Sequence, residues 1–221
     1  MSVPLVPILK AALNPRQLAR KAITNPRLVP DIFKGLEADK GRIKLGCSKA
    51  LCLLSELRPD LLYPYFDFFV GLLDHGNKIM QWNAAFVLSH LARVDNDDKF
   101  LAVFEKYFSP IPGPVMITAA NVIQGGARIA QAKPHLADRI AGEMVKVAKA
   151  RYRTPECRNV AIGHAILALA GIAPLLRNLA PAVQFIRKQA RNPRAATRKK
   201  AEQFLKSHLS AASPGGRTLP T

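Results

Sequence analysis

The side chains that could carry covalent or acid–base chemistry in this 221-residue chain are three cysteines and five histidines. Cys157 and His164 are seven positions apart, so they share one face of a predicted helix. Two helical turns separate them by roughly 10.5 Å along the axis, which is too far for a nucleophile and its general base. His164, between Gly163 and Ala165, is better explained as a packed or hydrogen-bonded helix residue. We therefore expect no catalytic residue and no enzymatic activity.

Metal-binding patterns are similarly weak. The acidic run from Asp95 to Asp98 lacks the Gly at position six and the Glu at position twelve of an EF-hand loop. Acidic side chains at the start of a helix cap free N–H groups, so the run predicts a helix cap. Cys47, Cys52 and Cys157 have no metal-ligand spacing, and they predict buried small side chains in a reducing compartment. We expect no metal and no cofactor.

Targeting signals are not evident. The chain contains no HExxH, GxSxG or phosphate-binding glycine loop, and we expect no apolar run of the length that spans a membrane. The residues before Asp31 include basic and no acidic side chains, which fits a basic capping helix better than a mitochondrial targeting helix. The expectation is a cytoplasmic protein that does not enter a membrane.

Charge is unevenly distributed along the chain. The net charge is +18, and residues 159–221 alone carry ten Lys or Arg against one acid. Residues 31–126 carry ten basic and eleven acidic side chains, so this middle part is nearly neutral. A strongly basic half predicts either a surface for phosphate groups or a solvated end of the domain. Eleven of the fifteen aromatic residues fall between Tyr63 and Phe108, outside the basic half, which argues against base stacking.

The helices that must position these groups are clearest between Arg58 and Asp95. Pro59 suits the first turn of a helix, and apolar residues then recur every three or four positions as far as Leu73. His75-Gly76-Asn77 predicts a turn, after which a second amphipathic helix begins. A pair of this kind cannot bury both of its faces alone, so it predicts stacked copies.

Copies of this pair are visible in the sequence. The segment beginning at Lys49 aligns with that beginning at Asn83, 34 positions later, and Thr118 aligns with Asn83 at 35 positions. This period predicts an all-α fold, a right-handed α-α superhelix or solenoid of about five helix pairs. The predicted pairs are 26–57, 58–95, 96–132, 133–173 and 174–209. Residues 1–25 are predicted to form an N-terminal basic capping helix, and residues 210–221 a disordered tail.

The last pair resembles a HEAT repeat, a family closely related to the armadillo type. Asn192 to Leu205 is similar to the turn and second helix of that repeat, with Arg198 where the family usually has its Arg. Asp74 resembles the acidic residue before the family's turn, whereas Gln81 stands where the Arg would be expected. The resemblance covers residues 26–209. It implies a curved stack of helix pairs with a protein-binding or scaffolding role, and no chemistry by itself.

Three functions follow as hypotheses. The first is a scaffold whose second helices line a concave groove for a protein partner, with contacts from Trp82, Asn83, Asn121 and Gln124; Trp82 could equally pack on the next repeat. The second is binding of nucleic acid or another polyanion by a basic C-terminal ridge. Its predicted residues are Arg151, Arg153, Arg158, Arg187, Lys188, Arg191, Arg194, Arg198, Lys199 and Lys200. The third and lowest-ranked is activity like that of HEAT-like alkylpurine DNA glycosylases, for which the chain places its carboxylates in the neutral part.

Overall fold

The computed structural model describes residues 14–209, which contain eleven α-helices and no strand. The chain forms two compact units, which meet in sequence between Ser109 and Pro110. The helices of the N-terminal unit are α1 (Pro15–Thr24), α2 (Val29–Lys34), α3 (Gly41–Leu57), α4 (Phe66–Leu72), α5 (Lys78–Leu91) and α6 (Lys99–Phe108). Those of the C-terminal unit are α7 (Met116–Ala132), α8 (Ala137–Val145), α9 (Pro155–Ile172), α10 (Ala180–Gln189) and α11 (Ala195–Leu209).

Four of the helix pairs predicted for residues 26–209 are present as α2 with α3 and α4 with α5 in the N-terminal unit, and α8 with α9 and α10 with α11 in the C-terminal unit. The predicted pair 96–132 is divided between the units, with α6 in the first and α7 in the second. Helix α1 lies where an additional N-terminal helix was expected. The boundaries of the capping segment and the repeat array remain predictions. The predicted tail, 210–221, and residues 1–13 lie outside the described part of the chain.

Short polar residues begin several of these helices. The side chains of Asn14, Asn77 and Thr154 each accept a hydrogen bond from a backbone N–H of the following first turn. This satisfies one of the donors that a helix start leaves without a partner. Asn25 makes no such bond, and Pro26 after it begins a single 3₁₀ turn instead of an α-helix.

The first helix of the second pair is shorter than the sequence predicted. The apolar pattern suggested a helix from Pro59 to Leu73, but two 3₁₀ turns, Pro59–Leu61 and Tyr63–Tyr65, precede α4. Pro64 explains the difference: it has no N–H to donate, and its ring disfavours the α conformation in the residue before it. The apolar spacing of three and four is therefore kept while the backbone is interrupted.

In the N-terminal unit, α3 packs against both α1 and α5, and α4 packs against α5. The four aromatic residues on α6 form a buried cluster: Phe100, Phe104, Tyr107 and Phe108 contact one another, mostly edge to face. The Tyr107 hydroxyl donates to the Ala85 carbonyl at 3.0 Å, which ties α6 to α5. These aromatic side chains are core residues, which accounts for their concentration in the neutral part of the sequence.

Asp95 acts as the cap predicted for the acidic run. Its side chain is 3% exposed, and its two oxygens accept hydrogen bonds from the backbone N–H groups of Lys99 at 2.9 Å and Phe100 at 3.0 Å. The Tyr63 hydroxyl donates to the same carboxylate at 2.7 Å. A carboxylate with three donors around it is a structural group at the start of α6, and the calcium-loop alternative is not supported.

In the C-terminal unit, α9 is the central helix and packs against α7, α8 and α11. A helix covered on several sides need not be amphipathic, and after Asn159 the only strongly polar side chain of α9 is that of His164. By length and composition the segment Pro155–Leu175 could cross a membrane, with half of its apolar window buried inside the protein. The prediction that no apolar run reaches that length is therefore wrong. The segment is apolar because it contains the central helix of this unit, which packs against three others.

Candidate interaction surfaces

The two basic turns predicted in the C-terminal half lie next to each other. We call residues 150–154, before α9, and residues 190–194, between α10 and α11, the basic connections. Arg194 Nε donates to Glu156 Oε1 at 2.8 Å, and Asn192 Nδ2 donates to Asn159 Oδ1 at 3.2 Å. These bonds join the second connection to the first turns of α9, so the basic residues of both connections belong to one region of the unit.

The connection 190–194 is built around Asn192, which is 5% exposed. Its side-chain oxygen accepts from Arg194 N at 2.9 Å, and its carbonyl accepts from Arg198 Nη1 at 2.9 Å. The same Arg198 nitrogen donates to the Pro193 carbonyl at 3.0 Å. Arg198 thus satisfies carbonyl groups of the turn that precedes its own helix.

Gln81 also bonds a carbonyl group of the turn that precedes its own helix, although a glutamine departs from the family pattern at this position. Its Nε2 donates to the His75 carbonyl at 2.7 Å, six positions earlier, which is the separation between Arg198 and Asn192. A glutamine amide can therefore replace the arginine in bonding the turn. Asp74, before that turn, forms an ion pair with Lys106 at 2.6 Å.

The connection 150–154 is held by a preceding loop of the same unit. Arg151 N donates to the Pro112 carbonyl at 2.8 Å, and the Tyr152 hydroxyl donates to the Ile111 carbonyl at 2.5 Å. Burial raises the pKa of Tyr152 to about 12, so it remains a neutral donor. Gly113 has a φ of +124°, and a Cβ there would collide with the Arg151 carbonyl oxygen. Only glycine fits this approach without strain.

The structure divides the predicted polyanion residues into two groups. Seven are exposed and make no side-chain hydrogen bond or ion pair within residues 14–209: Arg151, Arg153, Arg158, Arg187, Lys188, Arg191 and Lys199. Arg194 and Arg198 instead hold the connection 190–194 together, as described above. Lys200 is partly buried against α9. The sequence could not separate these groups, because basic side chains close together along the chain can have different partners in the fold.

A second surface is formed where α7, α9 and α11 pack side by side. On it, Gln124 Nε2 lies 3.2 Å from His164 Nδ1. Because an amide nitrogen only donates, Nδ1 accepts, and the neutral imidazole carries its proton on Nε2. Burial and then the charges of Lys200 and Arg194 lower the pKa of His164, so the neutral form dominates at neutral pH.

Lys200 approaches α9 at Gly163, the residue before His164. A Cβ added to Gly163 would lie 3.3 Å from Lys200 Nζ and 3.0 Å from Thr197 Oγ1, so the absence of a side chain allows this approach. Burial and the Arg194 charge lower the pKa of Lys200. We define the second-helix face by six of the partly or fully exposed residues of these three helices: Ile117, Asn121, Gln124, His164, Leu167 and Lys200.

The predicted groove residues are distributed over both units. Gln124 and Asn121 belong to the second-helix face, where the Asn121 amide donates to the Ile117 carbonyl at 3.0 Å. Asn83, in the N-terminal unit, donates Nδ2 to Ser48 Oγ at 2.7 Å, so its amide links two repeats. Trp82 is partly buried on α5. The prediction that His164 is a packed or hydrogen-bonded residue is confirmed. The sequence did not predict that it would lie near Gln124 and Lys200.

The cysteines are structural. Burial raises the pKa of Cys47 to about 11 and that of Cys52 to about 12, so both thiols stay protonated at neutral pH. Cys47 is buried as expected, whereas Cys52 and Cys157 are only partly buried. Within residues 14–209, no group of three or more His, Cys, Asp or Glu side chains is arranged to hold a metal ion.

Taken together, these helix pairs define an all-α repeat protein. A search of solved structures finds a designed armadillo repeat protein with 18% sequence identity; the match covers 92% of this chain and 91% of that one, with a TM-score of 0.60. The chain therefore has an armadillo/HEAT-like solenoid repeat fold. A scan against protein-family models found no match, and a search of curated proteins found none.

The contact between Gly113 and Arg151 gives a stability prediction. Gly113→Ala should lower the free energy of unfolding by about 2 kcal/mol or more, because alanine is strained at a positive φ and its Cβ would clash with the Arg151 carbonyl oxygen. Urea unfolding monitored by circular dichroism measures the change.

Gly142→Ala is the matched control. Gly142 lies in α8, and a Cβ there meets nothing within 4 Å. This substitution should stabilise the protein by about 0.5–1 kcal/mol, since glycine is unfavourable inside a helix. If both variants were equally stable, the proposed fixing of the connection 150–154 by Gly113 would be wrong.

Proposed function

We propose that the protein is a non-enzymatic scaffold that binds a protein partner along the second-helix face. The observation that supports this most is the row Gln124, His164 and Lys200, which crosses three helices packed side by side. Ile117 and Leu167 on the same helices are 49% and 53% exposed. Removing such aliphatic side chains from water favours association, while amides and charges fix the orientation of a partner.

Other polar groups support a scaffold over a glycosylase. A glycosylase needs a carboxylate that is free to act in catalysis. Asp95 is bound by two backbone N–H groups and Tyr63, and the exposed Asp74 pairs with Lys106. The exposed Asp67 belongs, like them, to the N-terminal unit, which holds none of the basic connections. In the N-terminal unit, Trp82 and Asn83 remain the proposed contact residues. The free cysteines fit a reducing compartment, and we propose that the protein acts in the cytoplasm.

A photo-crosslinker placed at Leu167 tests the scaffold function in cells. Leu167 is exposed on α9, so a partner on the second-helix face should give a discrete crosslinked product of higher mass. The same crosslinker at Gly142, on α8 with open space around it, is the control and should give none. Gel mobility and mass spectrometry identify the products. Equal products at both positions, or none at Leu167, would contradict partner binding on this face.

Binding of nucleic acid by the basic connections is the second candidate. Seven exposed cationic side chains lie on or near two adjacent connections, and no described carboxylate pairs with them. Nucleic-acid backbones are bound mainly by such charges. Of the three aromatic residues of this unit, Phe185 and Phe204 are buried, and Tyr152 is partly buried with its hydroxyl bonded to the Ile111 carbonyl. A row of exposed rings for base stacking is therefore absent from the described part of this unit. Contacts to phosphates, with little sequence preference, are therefore the proposed mode.

A salt series with duplex DNA tests this second candidate. The double variant Arg191→Glu with Lys199→Glu should lower the magnitude of the slope of log affinity against log salt by about 1.8, at about 0.9 per lost phosphate contact. The control, Arg42→Glu with Lys49→Glu, makes the same charge change on exposed positions of α3 and should alter the slope little. Equal effects would show that net charge alone attracts DNA. Absence of binding at about 0.15 M salt would rule out the candidate.

A further inference from the structure

We infer that the junction of α9 and α11 is a binding site for a carboxylate, formed by Lys200, His164, Gln124 and Arg194, and that it receives an acidic side chain of the protein partner. This inference rests on the proposed scaffold function, because the site lies on the second-helix face. It adds the chemistry of the partner, which the fold alone does not specify.

Lys200 has no acceptor within the described residues. Lys200 Nζ lies beside Gly163, one residue from His164. It forms no hydrogen bond or ion pair with any group in residues 14–209. The lack of a side chain on Gly163 brings the ammonium group down onto α9, where it is partly buried instead of extended into solvent. A cation in such a place can form a stronger ion pair than a fully solvated one.

His164 supplies a neutral donor next to this cation. Since Gln124 donates to Nδ1, the imidazole proton is on Nε2, and no described residue accepts a hydrogen bond from it. Gln124 is exposed and holds the ring in this tautomer while its second amide hydrogen remains available. A carboxylate has two oxygens that accept several hydrogen bonds, so an ammonium and a neutral N–H side by side match it.

The charge of the site is suited to one carboxylate. Arg194 and Lys200 are cationic, and Glu156, which is bound to Arg194 Nε at 2.8 Å, is the only carboxylate paired with either of them within the described chain. One positive charge is therefore left uncompensated. Burial lowers the pKa of Lys200, and the charge of Arg194 adds to that shift. A bound carboxylate would compensate the remaining charge and raise the pKa of Lys200.

An acidic peptide fits this site better than a nucleic acid. The site offers one net positive charge, beside an aliphatic side chain, Leu167, one helical turn from His164 and 53% exposed. An acidic residue adjacent to an apolar residue would use both groups. A phosphate backbone would find a higher density of exposed cations on the basic connections, such as Arg191 and Lys199.

Fluorescein-labelled peptides and the full chain test the site by fluorescence anisotropy. Three peptides of equal length contain Glu-Leu, Gln-Leu or Lys-Leu pairs in the same Ser/Gly background. The Glu-Leu peptide should bind most tightly. Lys200→Met should weaken its binding about tenfold, as expected for the loss of one charge-assisted hydrogen bond. Lys199→Met, the same change at the exposed neighbouring position, should weaken it less than about twofold. Unfolding midpoints establish that both variants are folded.

The possible failures of this experiment are distinct. Equal weakening by Lys199→Met and Lys200→Met would overturn the local site in favour of diffuse attraction. Preferential binding of the Gln-Leu or Lys-Leu peptide would overturn the acidic specificity while leaving the scaffold function intact. If none of the three peptides binds, the carboxylate site is wrong, and the crosslinking result at Leu167 decides separately whether the scaffold function also fails.

Discussion

Polar contacts between residues about one repeat apart are the constraint on which the structure of each unit depends. In the C-terminal unit, Asn192 bonds to Asn159, 33 positions earlier; in the N-terminal unit, Asn83 bonds to Ser48, 35 positions earlier. Arg93 Nη2 likewise donates to the Ser55 carbonyl, 38 positions earlier. Apolar packing brings neighbouring repeats together but tolerates sliding, whereas a buried polar group is satisfied in only one register. These bonds therefore determine which side chains of adjacent helices meet.

The interaction surfaces follow from that register. Gln124 is hydrogen-bonded to His164, which is 40 positions later in the sequence, and Lys200 is a further 36 positions along. Residues distant in sequence therefore form one row across α7, α9 and α11. The same register divides the arginines near Asn192. Arg198 and Arg194 are used to build the connection, which places Arg191 and Lys199 at its surface as exposed cations. Within one basic cluster, some side chains therefore stabilise the connection while others provide its exposed positive charge.

The helix pairs could be predicted from the sequence because their signals are local. Apolar spacing marks the buried stripe of each helix, and Asn14 and Thr154 mark two starts. The predictions that were wrong depended either on tertiary packing or on a single residue. Pro64 interrupts a helix whose apolar pattern is intact, and α9 is apolar because other helices surround it. The row Gln124–His164–Lys200 could not be predicted, because repeat lengths vary by several residues and a small error in alignment would pair different side chains.

The most direct test of this account is a double-mutant cycle on Asn159 and Asn192. The free energy of unfolding would be measured for the wild type, Asn159→Ala, Asn192→Ala and the double variant. If the bond between these buried amides sets the register of α9 and α11, the two substitutions should show a coupling energy of about 1 kcal/mol or more. Effects that add to within about 0.3–0.5 kcal/mol would contradict the account, because the two repeats would then be aligned by apolar packing alone.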